Sequence, residues 1–339
     1  AYEMLRSLVR SEMCIRDRNI EQRVDLTLFS EKIQELKDQI ASVIVGQEQT
    51  VDLVLAAILA NGHVLIEGVP GVAKTLLARL TARLIDADFS RIQFTPDLMP
   101  SDVLGTTVFN MKTNDFDFHQ GPIFADIVLV DEINRAPAKT QAALFEVMEE
   151  RQISIDGTTH KMGELYTILA TQNPVEQEGT YKLPEAQLDR FLMKITMDYP
   201  SLEEEVDILE RHHTNASLIK LDDIKPAITK EELLSLRAFM NQVFVDRTLL
   251  QYIALIVQQT RTSKAVYLGA SPRASVAMLQ ASKAYALLQG RDFVTPEDIK
   301  FVAPYVLQHR LILTAEAEME GYSPVKVTQR LIDKVEVPK

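Results

Sequence analysis

Eight residues, Gly68, Val69, Pro70, Gly71, Val72, Ala73, Lys74 and Thr75, join a short apolar run, His63 to Glu67, to a stretch from Thr75 to Ile85 whose apolar positions recur at helical period. Strand, glycine-rich loop and helix in that order restrict the fold more than any other feature, because this is the context in which G-x-x-x-x-G-K-[ST] holds a phosphate. The glycines let the backbone curl until its N–H groups point inward, and the helix N-terminus adds a positive dipole end. Lys74 would neutralise the β/γ oxygens and Thr75 would place its hydroxyl on Mg²⁺. The loop departs from the pattern at Ala73, where glycine is usual, so it must tolerate a Cβ there; alanine adds the least.

Further short apolar runs at Arg91 to Thr95, Ile127 to Val130, Thr167 to Thr171 and Leu192 to Met197 alternate with helical patterns. That alternation predicts an α/β fold with a parallel sheet covered on both faces. Upstream, Ile33, Leu36 and Ile40, then Val51, Val54, Leu55 and Ile58, predict two helices around a turn at Ile44, Val45 and Gly46. Beyond Pro200 the chain turns helical, with starts at Ser201/Glu204, Thr229/Glu232, Ser271-Pro272 and Thr295-Pro296. The expected organisation is a leader over 1–20, an α/β nucleotide-binding core over 21–199, a helical domain over 200–325 and a tail over 326–339. Within the leader, SLVRSEMCIRDR resembles translated adapter sequence, and the segment is read as non-native or disordered. Two hairpins are expected, Leu104 to Phe118 and Gln152 to Met162, the latter around Asp156-Gly157.

The run Ile127-Val-Leu-Val-Asp-Glu132 is an apolar strand ending in two acids, which suits a strand whose carboxyl end opens into a ligand crevice. Asp131 would hold Mg²⁺ through its water shell and Glu132 would polarise an attacking water. Together with the loop, the pair reads as a site for ATP and Mg²⁺, with Thr75 and Asp131 on the metal.

Lys plus Arg number 36 against 48 Asp plus Glu, a formal charge of −12 that argues against a surface given over to nucleic-acid phosphates. No apolar run approaches the roughly 20 residues of a membrane-spanning helix. The single cysteine, Cys14, leaves no intramolecular disulfide, which fits a reducing cytoplasm. The six histidines show no ligand spacing with cysteines and no HExxH occurs.

The strings GVPGVAKT, VDEINRAP, ATQNPVEQEGTYKLPEAQLDRF and GASPRA together resemble the MoxR family of AAA+ ATPases, from about Phe29 to Lys339. The resemblance implies a P-loop AAA+ core with a five-stranded parallel sheet, an all-helical lid and assembly into a hexameric ring. It further implies chaperone-like work on protein partners, often ones bearing von Willebrand A-type domains. Carried over by motif, Asn173 is similar to the polar sensor of the lytic water, Arg190 to the arginine finger aimed at a neighbour's nucleotide, and Arg273 to the second sensor. Whether Arg273 serves its own subunit stays open. Arg135 is expected to face a neighbour, and Gly46 is placed with the nucleotide-binding residues. A nucleic-acid motor and a magnesium-chelatase-type subunit share the same branch and remain alternatives; a nucleotide-bound switch is disfavoured by Glu132, Asn173 and Arg190 together.

Overall fold

The computed structural model describes residues 26–174, 181, 183–214 and 224–338, so the expectations for 1–20 and part of the 170–191 motif lie outside the described residues. In chain order the strands are β1 (Val64–Gly68), β2 (Phe89–Gln93), β3 (Gly105–Asn110), β4 (Asp115–Gln120), β5 (Ile127–Asp131), β6 (Gln152–Ile155), β7 (Thr158–Lys161), β8 (Thr167–Gln172) and β9 (Met193–Met197), with β10 (Val266–Leu268) and β11 (Ile312–Leu313) forming a short antiparallel pair inside the helical region expected to hold no strand. Five of them form one parallel sheet in the order β2-β5-β8-β1-β9. Period-2 alternation sends Val64, Ile66, Ile127 and Leu129 into one apolar cluster and Leu65, Val128, Val130 and Ile168 into another. Both faces are therefore covered, as a parallel sheet made by helical crossovers requires.

The two expected hairpins form, β3 with β4 and β6 with β7. In the second, Asp156 and Gly157 both have positive φ, 48° and 79°, the backbone that a two-residue hairpin turn demands. Helices Leu202–His213 and Lys230–Phe239 carry capping boxes at the expected residues, and Pro296–Leu307 starts at the expected Thr295 with a further box to Asp298. The stretch expected as a tail is instead largely a helix, Pro324–Lys334, that buries Val327, Leu331 and Ile332. Their i, i+4, i+5 spacing is an amphipathic face, which the surrounding polar residues hid.

His63, just ahead of β1, is buried and ties the starts of two strands together. Its Nδ1 accepts from the Ile168 N–H at 3.0 Å, and Nε2 lies 3.1 Å from the Met148 carbonyl. These partners require a neutral ring with the proton on Nε2. Burial, helped by the Arg151 charge, lowers its pKa from 6.5 to about 3. The unfolded chain thus takes up this proton near pH 6.5 while the folded chain resists it down to about pH 3. This group's contribution is intact above that window and is lost as pH falls through it, on the order of a few kcal/mol in all. Unfolding midpoints at about pH 7 and about pH 4.5 should drop further for the parent than for His63→Gln; equal drops would contradict this account.

Candidate nucleotide site

Three neighbouring strands end together at the carboxyl edge of the sheet. β8 lies between β1 and β5, in register Glu67↔Gln172 and Val130↔Ala170. The loop that follows β1, the Asp131-Glu132 pair that closes β5 and Asn173 after β8 consequently share one edge, the usual ligand position of an open α/β sheet.

Within the loop, Gly68 pairs with Met197 of β9, and a Cβ there would stand 2.7 Å from the Met197 carbonyl oxygen. Gly71 has φ 89° with open space around it, so conformation rather than crowding calls for glycine. Ala73 does adopt the left-handed region, φ 61° and ψ 22°, as it enters the helix Lys74–Leu84. For a residue with a Cβ that conformation costs about 1–2 kcal/mol. Lys74 curls back over the loop: its Nζ donates to the carbonyls of Gly68 at 2.5 Å and Val69 at 3.2 Å. The ammonium is thereby kept at the loop.

Asp131 is buried and held on both oxygens. Oδ1 accepts from Thr171 Oγ1 at 3.0 Å, and Oδ2 meets Arg91 Nε at 2.6 Å. Arg91 sits on β2, where Gln93 pairs with Asp131, so it reaches the acid diagonally across the strands. Thr171 Oγ1 also accepts the Glu132 N–H at 3.0 Å. Glu132 itself has φ 56° and ψ 49°, a left-handed backbone uncommon for such a side chain and typical of residues aimed by their surroundings at a functional site. Arg135, expected to face a neighbour, brings Nε within 2.9 Å of Glu132 Oε2 in its own chain. Asn173 is buried at the strand end.

Gly46 lies in the turn between helices Thr27–Val43 and Glu48–Leu59, at φ 73°, where the Glu204 side chain fills the place of a Cβ. Glu204 belongs to the helix that follows β9, and β9 ends beside Gly68. Gly46 and the phosphate loop thus flank one strand end.

Arg190 and Arg273 are elsewhere. Arg190 precedes β9, whose first residue pairs with Val64 at the start of β1. It donates to the Phe145 carbonyl, and Nη1 is 2.8 Å from Glu149 Oε2. Arg273 Nη2 reaches the other oxygen of Glu149 at 3.3 Å. Glu149 lies in the last turn of the helix Ala138–Glu150, and Arg151, two residues on, bonds the carbonyls of Asn61 and Tyr166 ahead of β1 and β8. Both arginines therefore lie at the amino edge of the sheet. With β1 rising about 3.3 Å per residue, they stand roughly 16 Å of strand from their own phosphate loop.

The cradle, the buried acid and the lysine fit a nucleotide with Mg²⁺, while among the described residues no group of three or more His, Cys, Asp or Glu suggests a metal held by protein alone. Arg91, Thr171 and Glu149 escaped the sequence reading. Of these only Thr171, two residues before Asn173, left a trace, as a polar residue ending an apolar run.

Comparison with known proteins agrees with this geometry. Residues 63–193 match the model described as "ATPase family associated with various cellular activities (AAA)", and residues 258–333 match an AAA lid domain. The chain is 44% identical over 310 residues to Chaperone MoxR1 of Mycobacterium tuberculosis, covering 89% of this chain and 81% of that one. The chain belongs to the MoxR family of AAA+ ATPases. The uncharacterized protein YeaC of Bacillus subtilis is 48% identical over 304 residues, 89% of this chain and 93% of its own. Protein MoxR of Methylorubrum extorquens is 31% identical, with 87% and 91% covered. A crystal structure of a candidate ATPase from Cytophaga hutchinsonii superposes with a TM-score of 0.85 at 41% identity, covering 93% of this chain and 97% of that one. Among the described residues no helix is long and apolar enough to cross a membrane.

Proposed function

We propose that this MoxR-family chain hydrolyses ATP with Mg²⁺ as a ring and uses the cycle to remodel protein partners in the cytoplasm. The observation that carries the reading is the meeting of the phosphate loop, Asp131-Glu132 and Asn173 at one sheet edge, with Arg190 and Arg273 at the other. Lys74 and the loop N–H groups bind the phosphates, and Gly46 borders the base end. Thr75 and Asp131 would hold Mg²⁺, which supplies charge neutralisation at the phosphate oxygens. Arg91 and Thr171 fix the Asp131 carboxylate. Glu132 polarises the attacking water and accepts its proton, and Asn173 orients that water.

The opposite placement of the two arginines supports a shared site, in which Arg190 and Arg273 of one subunit face the nucleotide of the next. Glu149, bonded to both guanidiniums, presents them as one cationic group. The remodelling of protein partners draws on the relative named as a chaperone.

Lys74→Ala should weaken ATP binding by roughly 10- to 150-fold, the equivalent of losing charge-assisted bonds worth about 1.5–3 kcal/mol. A titration with a fluorescent ATP analogue checks this; unchanged affinity would remove the phosphate-loop assignment.

A further inference from the structure

Arg310, in the turn after helix Pro296–Leu307, is a lid residue whose side chain is only 4% exposed, and it does not reach the nucleotide edge. A guanidinium so buried must find partners for its donors. Nearly all of those it finds lie in the four residues around Arg190. Nε donates to Asp189 Oδ1 at 2.6 Å. Nη2 donates to the carbonyls of Asp189 at 3.3 Å and Phe191 at 2.7 Å, and Nη1 to that of Leu192 at 3.1 Å. A last bond, to the Val306 carbonyl, anchors the fork to the lid helix. The adjacent residue adds a second tie, His309 Nε2 to the Phe191 carbonyl at 3.1 Å. Asp189 also accepts from Ser271 Oγ at 3.5 Å, two residues ahead of Arg273.

The backbone on either side of Arg190 is thus fixed by the lid rather than by the sheet alone. We propose that Arg310 is a positioning residue that locks Arg190, and through Asp189 and Ser271 the start of the Arg273 helix, to the lid, so that the lid of one subunit sets hydrolysis in its neighbour's site. The proposal rests on the shared-site reading. A planar fork making several bonds to one short segment cannot be reproduced by an ammonium, so Arg310→Lys keeps the charge and loses the register. Displacement of a positioned group by about 1 Å can cost up to about a hundredfold in rate.

Arg310→Lys should lower kcat at least about tenfold while KM and ATP affinity stay within about twofold. In rings mixed with Glu132→Gln subunits, each Arg310→Lys site next to such a partner receives a correctly held Arg190, so activity per Arg310→Lys subunit should rise. A fold defect would act on the subunit's own site and would not be repaired. Should Arg310→Lys not fold, Asp189→Asn, which weakens the same lock from the other side, carries the same expectations. Parent-like kcat would overturn the proposal. So would a loss that the mixture leaves unrepaired while Arg190→Ala in the same mixture is rescued. If Arg190→Ala is itself not rescued, the shared site fails and this inference falls with it.

Discussion

Arg190→Ala is expected to bind ATP with parent affinity and to hydrolyse it about 10³- to 10⁵-fold more slowly, the range a guanidinium delivered in trans contributes to phosphoryl transfer. The two halves of that expectation have separate origins. Binding survives because Arg190 lies at the amino edge of its own sheet, paired with Glu149, far from the loop after β1. Hydrolysis falls because the developing charge on the next subunit's γ-phosphate loses its partner. Mixing Arg190→Ala with Lys74→Ala subunits should restore part of the activity, since an Arg190→Ala site then meets an intact Arg190. Specific activity of the parent should rise with protein concentration as rings assemble. No rescue in verified mixed rings, together with activity independent of concentration, would leave a self-sufficient monomer.

Glu132→Gln should bind Mg·ATP as the parent does and turn it over about 10²- to 10⁴-fold more slowly, because an amide of equal size cannot accept the water's proton. The left-handed backbone at Glu132 is held by its N–H bond to Thr171 Oγ1, which the substitution does not touch, so the geometry should persist. The isosteric change does weaken the pairing with Arg135. Single-turnover assays that show retained, uncleaved nucleotide would support the role; cleavage at the parent rate would assign the water to another group.

Much of the molecule was legible in the chain. The order of apolar runs and helical periods anticipated the parallel sheet, because strands buried on both faces must be continuously apolar, as Ile127 to Val130 are. Capping boxes marked helix starts at Ser201 and Thr229, and a cap followed by proline marked the one at Thr295, since Ser and Thr satisfy orphan N–H groups locally. The left-handed turn at Ala73 was foreseen as a place where a Cβ is a burden. Helix Pro324–Lys334 was missed because three apolar residues on one face stand among polar ones, and only their docking against neighbouring helices reveals the stripe.

Sequence by itself made the loop and the acids legible, because each is a local pattern in which spacing carries the chemistry, whereas the arginines stood out only through their resemblance to the MoxR motifs. Tertiary structure decided which charges meet. Arg91 reaches Asp131 across 40 positions, Arg190 and Arg273 converge on Glu149, and Arg310 closes on Asp189 across 121 positions. No periodicity links such residues; they are joined by strand order and by helix packing, which bring the first pair together at the carboxyl edge of the sheet and the others at the amino edge. Where water is excluded, as around the Arg310 guanidinium and the Asp131 carboxylate, a charge must find a partner, and only the folded chain decides which partner that is.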